Sequence, residues 1–149
     1  MFAFVMRAVN VLLLTVYTEE MLPAQTDDEH ALRVQLADAI IAVTADPQEQ
    51  RQLARIARFE GAYRRDVATC KTRGAEGEVT LFQILPRRGE NIAAMCADLA
   101  AGAAVALARV RESVAACRHL PAPERLALYA RGSCASAQGR RLSRVRYAP

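Results

Sequence analysis

Apolar residues recur at helical spacing over most of the chain from Thr26 to Cys117, and breaks in that spacing mark the element ends. Leu32, Leu36, Ile40 and Val43 share one face of a helix predicted from Thr26 to about Thr44. Thr26 followed by Glu29 reads as a capping box, in which each side chain can satisfy a backbone N–H at the helix start. A second start lies in Asp46-Pro47-Gln48-Glu49, with Asp46 as N-cap, Pro47 at the first helical position and Glu49 in the first turn. Its apolar face, Leu53, Ile56 and Ala57, continues at the same spacing to a carboxylate, Glu60, predicted to point inward near the helix end. Gly61 and Arg64-Arg65-Asp66 close this helix, the arginines reading as a solvated rim.

Farther on, Ile92, Met95, Leu99, Ala103, Ala106, Val110, Val114 and Cys117 keep a helical period around an alanine-rich centre, which predicts one central buried helix from Asn91, a cap residue, to Cys117. Asp98, Arg109, Arg111 and Glu112 interrupt it too closely for a membrane span. Pro121 and Pro123 end it, and Glu124 to Tyr129 is predicted to form another short helix. Between Asp66 and Gln83 the chain is polar, Gly74 and Gly77 mark turns, and Val79 to Ile84 fits either a strand or the start of a short helix. With little β-branched alternation elsewhere, the expected fold is mainly α, α+β at most.

Composition changes this picture modestly. The 149 residues suit one domain with a real core, and a net charge of +4 suggests an anionic partner or surface. Residues 1–24 form an N-terminal apolar segment whose run from Ala8 to Tyr17 is shorter than the about 20 residues a spanning helix needs. It reads equally as a signal peptide ending near Pro23-Ala24 or as an amphipathic first helix. Residues 25–149 then form the domain, with a basic tail carrying Arg140, Arg141, Arg144 and Arg146. That tail carries a single aromatic, Tyr147, and no reading motif of a nucleic-acid binder, so no nucleic-acid partner is expected. A solvated tail is its plainest reading, with attraction to an anionic envelope as the functional one.

Four cysteines, Cys70, Cys96, Cys117 and Cys134, form an even set. On one helix Cys96 and Cys117 would lie about 30 Å apart and could not pair, which leaves two connectivities. Cys70 with Cys96 and Cys117 with Cys134 is preferred, because the second bridge closes a helix-turn-helix and the first pins the loop after Glu60. Four free thiols in a reducing compartment is the competing expectation. No C-x-x-C pair is present, His30 has no ligand partner at useful spacing, and neither a metal nor a cofactor is expected.

Glu60 is the residue that bears on chemistry. A carboxyl at the floor of a cleft has its ionised form disfavoured and can donate a proton near neutral pH; the bland alternative is a pair with an arginine such as Arg64. Glu60 with Tyr63 and Asp66-Val67, then Leu81-Phe82-Gln83-Ile84 before Pro86, then Asn91-Ile92, then Leu128-Tyr129-Ala130-Arg131-Gly132, resembles the catalytic stretch of the lytic transglycosylase and goose-type lysozyme superfamily. In that family a helix-terminal glutamate is followed by Gly-Leu-(Met, Phe or Trp)-Gln-(Ile or Val), an Asn-Ile pair and Ala-Tyr-Asn-Ala-Gly. The match spans Leu53 to Cys134 with order and spacing kept.

The resemblance implies a lysozyme-like helical bundle around its central helix, with a small loop or hairpin lobe lining a cleft. It implies cleavage of the MurNAc–GlcNAc β-1,4 bond of peptidoglycan, with Glu60 as acid and then base while the muramic acid C6 hydroxyl attacks its own anomeric carbon. Gln83, Phe82, Tyr63 and Tyr129 would bind sugar, with Tyr129 packed near Glu60 and its hydroxyl oriented toward the reacting centre. A hydrolytic muramidase would need a second carboxylate roughly 6.5 to 9.5 Å away, for which Glu78, or Glu76, is the candidate. A third expectation is a non-catalytic structural or binding module within a virion or envelope assembly. The enzyme readings imply an extracytoplasmic location or a phage virion. Three departures stand out: Gly61 where the family commonly has serine, Thr80 where it has glycine, and Ala130 where it often has asparagine.

Overall fold

A computed structural model describes residues 26–135. The N-terminal segment and the basic tail, on which the leader and envelope expectations rest, lie outside the described residues. Those described are mainly helical, and their sole β-type pairing is an isolated antiparallel bridge between Val79 and Ile84.

Helix α1 spans Asp27–Val43. Its N-cap Thr26 accepts the Glu29 N–H at 3.1 Å, and Asp27, Asp28 and Glu29 place negative charge in the first turn, where the helix dipole favours it. Leu32, Leu36 and Ile40 form its buried face, and Thr44 ends it. Helix α2, Pro47–Gly61, starts where predicted, with Asp46 accepting the Gln48 N–H at 2.9 Å. Leu53, Ile56 and Ala57 are fully buried. Glu60 differs from the expectation: it is exposed. By its last turn α2 has run past the core, and it is the next residue, Gly61, that is packed inward. Two consecutive left-handed residues, Ala62 (φ 50°) and Tyr63 (φ 52°), turn the chain into the one-turn helix α3, Arg65–Ala68.

The predicted central helix is two helices. Helix α4 covers Ile92–Ala97 and α5 Leu99–Ala116, divided at Asp98, which ends the first and caps the second by accepting the Ala100 N–H at 2.9 Å. Asn91 caps α4 through the Ala94 N–H. Helix α5 packs against α1, α2, α4 and α6 and buries Gly102, Ala103, Ala106, Leu107, Val110 and Ser113, so the small residues do admit close neighbours. Its opposite face, with Ala104, Ala108 and Arg111, is exposed, so the helix is central but not wholly buried. The short helix predicted over Glu124 to Tyr129 is a 3₁₀ turn, Ala122–Glu124, followed by α6, Ala127–Arg131. Among the described residues no helix is long and apolar enough to cross a membrane.

The cysteines pair as Cys70–Cys96 and Cys117–Cys134. The first ties the loop after α3 to α4. The second ties the end of α5 to the segment just beyond α6.

Candidate active site

The segment from Val79 to Ile84 is neither strand nor helix. Val79 and Ile84 exchange both backbone hydrogen bonds at 2.9 Å and close a four-residue turn, Thr80 to Gln83. Thr80 (φ 67°) and Gln83 (φ 46°) are left-handed, a conformation that β-branched residues rarely adopt. Local bonds offset that strain: Thr80 Oγ1 accepts the Phe82 N–H at 3.2 Å, and the Thr80 carbonyl accepts both the backbone and the side-chain N–H of Gln83. The turn presses on the end of α2. A Cβ at Gly61 would lie 2.6 Å from the Leu81 carbonyl oxygen and 2.7 Å from its Cα, so glycine is what lets the two backbones meet and sets Glu60 beside the turn.

Helix α6 reaches the same turn from the other side. The Tyr129 hydroxyl donates to the Phe82 carbonyl at 2.6 Å. The start of α6 is itself held by Ser113, fully buried on α5, whose hydroxyl donates to the Arg125 carbonyl (2.8 Å) and accepts the Tyr129 N–H (3.2 Å). Burial, reinforced by the negative charge of Glu60 and opposed by Arg109, pushes the Tyr129 phenol far above the usual tyrosine range. The phenol therefore stays a neutral donor at any ordinary pH.

These elements enclose a cleft of about 620 Å³. Glu60 from α2, Gln83 from the turn, Tyr129 from α6, and Glu76 and Glu78 from the preceding loop all line it. Glu78 also accepts the Glu76 N–H at 3.0 Å, and a Cβ at Gly74 would collide with the ends of both Glu78 and Gln83, so these side chains lie together over that glycine. Two residues expected to touch sugar are placed elsewhere. Phe82 is fully buried, its side chain in the core, and only its carbonyl serves the site, through Tyr129. Tyr63 lies beyond the left-handed corner of α2, on a second cavity with Arg64, Arg65 and Lys71, its ring beneath the Arg33 guanidinium at 4.7 Å and its hydroxyl donating to the Ala54 carbonyl.

The far wall was not anticipated as a site. Leu85, Pro86 and Arg87 from the loop, with Arg109 and Glu112 from α5, complete the cleft, along with Leu128 and Arg131 from α6. Leu85 is 48% exposed, the one exposed large apolar residue among those described. Arg109 donates to the Leu85 carbonyl at 3.3 Å and to Glu90 at 2.6 Å, while Arg87 clasps Glu112 through both terminal nitrogens. Burial alone would raise the Glu90 pKa, but the Arg87 N–H and Arg109 hold it below the usual range, and the Arg87 guanidinium does the same for Glu112. In the sequence, arginines set into an alanine-rich helix were the visible sign of this wall.

Among the described residues no cluster of three or more His, Cys, Asp or Glu side chains could hold a metal ion. No family model, curated protein or solved structure matches the chain.

Proposed function

We propose that this chain is a peptidoglycan-cleaving glycosidase of lysozyme-like fold, with Glu60 as its general acid and then base and the lytic transglycosylase route as its reaction. The observation that carries this reading is the convergence of Glu60, Gln83 and Tyr129 on one cleft from three separate elements. Glycosidic cleavage needs a proton delivered to the leaving oxygen and a means of capturing the oxocarbenium-like centre. Glu60 stands at the open end of α2 with access to a ligand. Tyr129, kept neutral and anchored on the Phe82 carbonyl, fixes the turn that presents Gln83 to the saccharide. The muramic acid C6 hydroxyl then closes the 1,6-anhydro ring as Glu60 takes its proton, and no water is consumed. Two disulfides fit an oxidising location, outside the bacterial cytoplasm or on a virion.

Two observations favour other readings. Glu78 lines the same cleft, as a hydrolytic muramidase activating water would require. The exposure of Glu60 favours a non-catalytic binding module on the same scaffold. Mass spectrometry of purified peptidoglycan digested by wild type and by Glu60→Gln separates all three. Anhydro-muropeptides from wild type alone are the expected result, reducing-ended products would assign the water route, and no products from either protein would leave the binding module.

A further inference from the structure

The rim of the cleft carries an ion pair that contributes little to the fold. Arg87 Nη1 and Nη2 donate to Glu112 Oε2 and Oε1 at 2.9 and 3.0 Å, a two-point clasp of a carboxylate, with 55% and 46% of the two side chains exposed. Exposed pairs of this kind add little stability because water and salt already screen them. The backbone of Arg87 is placed by other contacts: its N–H donates to Glu90, and Arg109 binds both Glu90 and the Leu85 carbonyl. Removing Glu112 therefore leaves the arginine at the cleft with its fork-shaped donor set unoccupied. Glu60, Glu76 and Glu78 line the same cleft and disfavour an anion near them, and Arg87, a cleft arginine, already clasps a carboxylate through both terminal nitrogens.

We infer that Arg87 is a carboxylate-binding position of the cleft, that Glu112 occupies it in the absence of ligand, and that the incoming group is a carboxylate substituent of a glycan strand. The inference rests on the glycosidase reading and adds to it a determinant of which strands bind. Exchange of one carboxylate for another at a guanidinium conserves the paired geometry, so the ligand gains a charge-assisted two-point contact for the loss of a weak surface pair. The two residues therefore have opposite effects. Arg87 attracts the ligand and Glu112 competes with it, whereas a pair that merely shaped the rim would give both substitutions the same sign.

The test is calorimetric titration in a Glu60→Gln background, which leaves the ligand uncleaved. Three ligands are used: soluble peptidoglycan strands with their peptide stems, the same strands stripped of stems and retaining only the carboxylate of the sugar's ether acid, and chitooligosaccharides with no carboxylate. Arg87→Gln should weaken binding of carboxylate-bearing strands about tenfold, the scale of a charged hydrogen-bonding contact. Glu112→Gln should tighten it roughly threefold, as expected for relief of an exposed pair. Neither should change binding of chitooligosaccharides. Because the ether acid is an amide wherever a stem is attached, an effect on stripped strands alone assigns the sugar acid as the occupant, one on stemmed strands alone assigns a stem carboxylate, and one on both shows that Arg87 takes either. Shifts of the same sign in both variants, or equal on all three ligands, would overturn the inference while leaving the glycosidase reading intact. Failure of the parent and wild type to bind any of the three would overturn that reading, and the inference with it.

Discussion

The floor of the cleft and its rim are a few residues apart in sequence and are held by opposite means. The floor, Val79 to Ile84, is almost wholly buried and fixed by backbone: a two-bond bridge, two left-handed residues, and a glycine contact with α2. The rim, Leu85 to Glu90, is mostly exposed and is held to α5 by side-chain charge, through Arg87 with Glu112 and Arg109 with Glu90. The floor gives geometry that tolerates no extra atom, and the rim gives contacts that can be exchanged. The glycosidase proposed above would use both, the floor to place its acid and the rim to admit a polymer.

That contrast predicts a descending series of effects. Gly61→Ala should cost the most, about 3 kcal/mol, because the added methyl meets the Leu81 backbone, which has no rotamer to yield, as well as the Leu81 side chain. Urea unfolding measures it, and a stability equal to wild type would mean the floor is pliable. Ser113→Ala should cost about 2 kcal/mol by stranding the Arg125 carbonyl and the Tyr129 N–H inside the protein. The same variant should also change the ultraviolet difference spectrum of the Tyr129 phenol, because the start of α6 loses its hold on α5. An unaltered spectrum would detach α6 from the floor.

The smallest effect is the acid response of the rim. Glu90 and Glu112 have pKa values lowered in the fold, as does Glu49 beneath the Arg111 guanidinium. The unfolded chain, with ordinary glutamates near about 4.3, therefore binds more protons than the folded one over this range. The stability these groups add is fully present above about pH 4.3 and is lost as pH falls through their lowered folded values. For the exposed Arg87–Glu112 pair it should be no more than about 0.5 kcal/mol. Melting temperatures of wild type and Glu112→Gln should accordingly differ slightly at pH 7 and converge near pH 2. A constant gap would show that Glu112 acts through something other than its charge.

How much of this was legible in the sequence depends on range. The starts of α1, α2 and α4 were, because Thr26, Asp46 and Asn91 act on residues within one turn. The break at Asp98 was not, since Leu99 continues the spacing of Met95 and a one-residue interruption leaves the apolar period intact. Periodicity pointed Glu60 inward and it is exposed, because the spacing does not say where along the helix the core stops. Motif order set Gln83 and Tyr129 on one cleft, while Phe82, beside Gln83 in the same turn, has its side chain in the core, which a short motif does not specify. Gly61 and Thr80 looked like two separate departures from a familiar pattern. Both belong to the packing of one turn, Gly61 against the Leu81 backbone and Thr80 against Gly102 of α5.

The chain has no tryptophan and four tyrosines, and Tyr63 and Tyr129 are the two among the described residues. Tyr129 is therefore an optical probe built into the cleft. Its half-buried phenol, bonded to a carbonyl and with its ionised form disfavoured by burial and by Glu60, lies in surroundings unlike those of a solvated tyrosine. A ligand entering the cleft should therefore change the tyrosine difference spectrum, with no label attached and no substitution near Glu60.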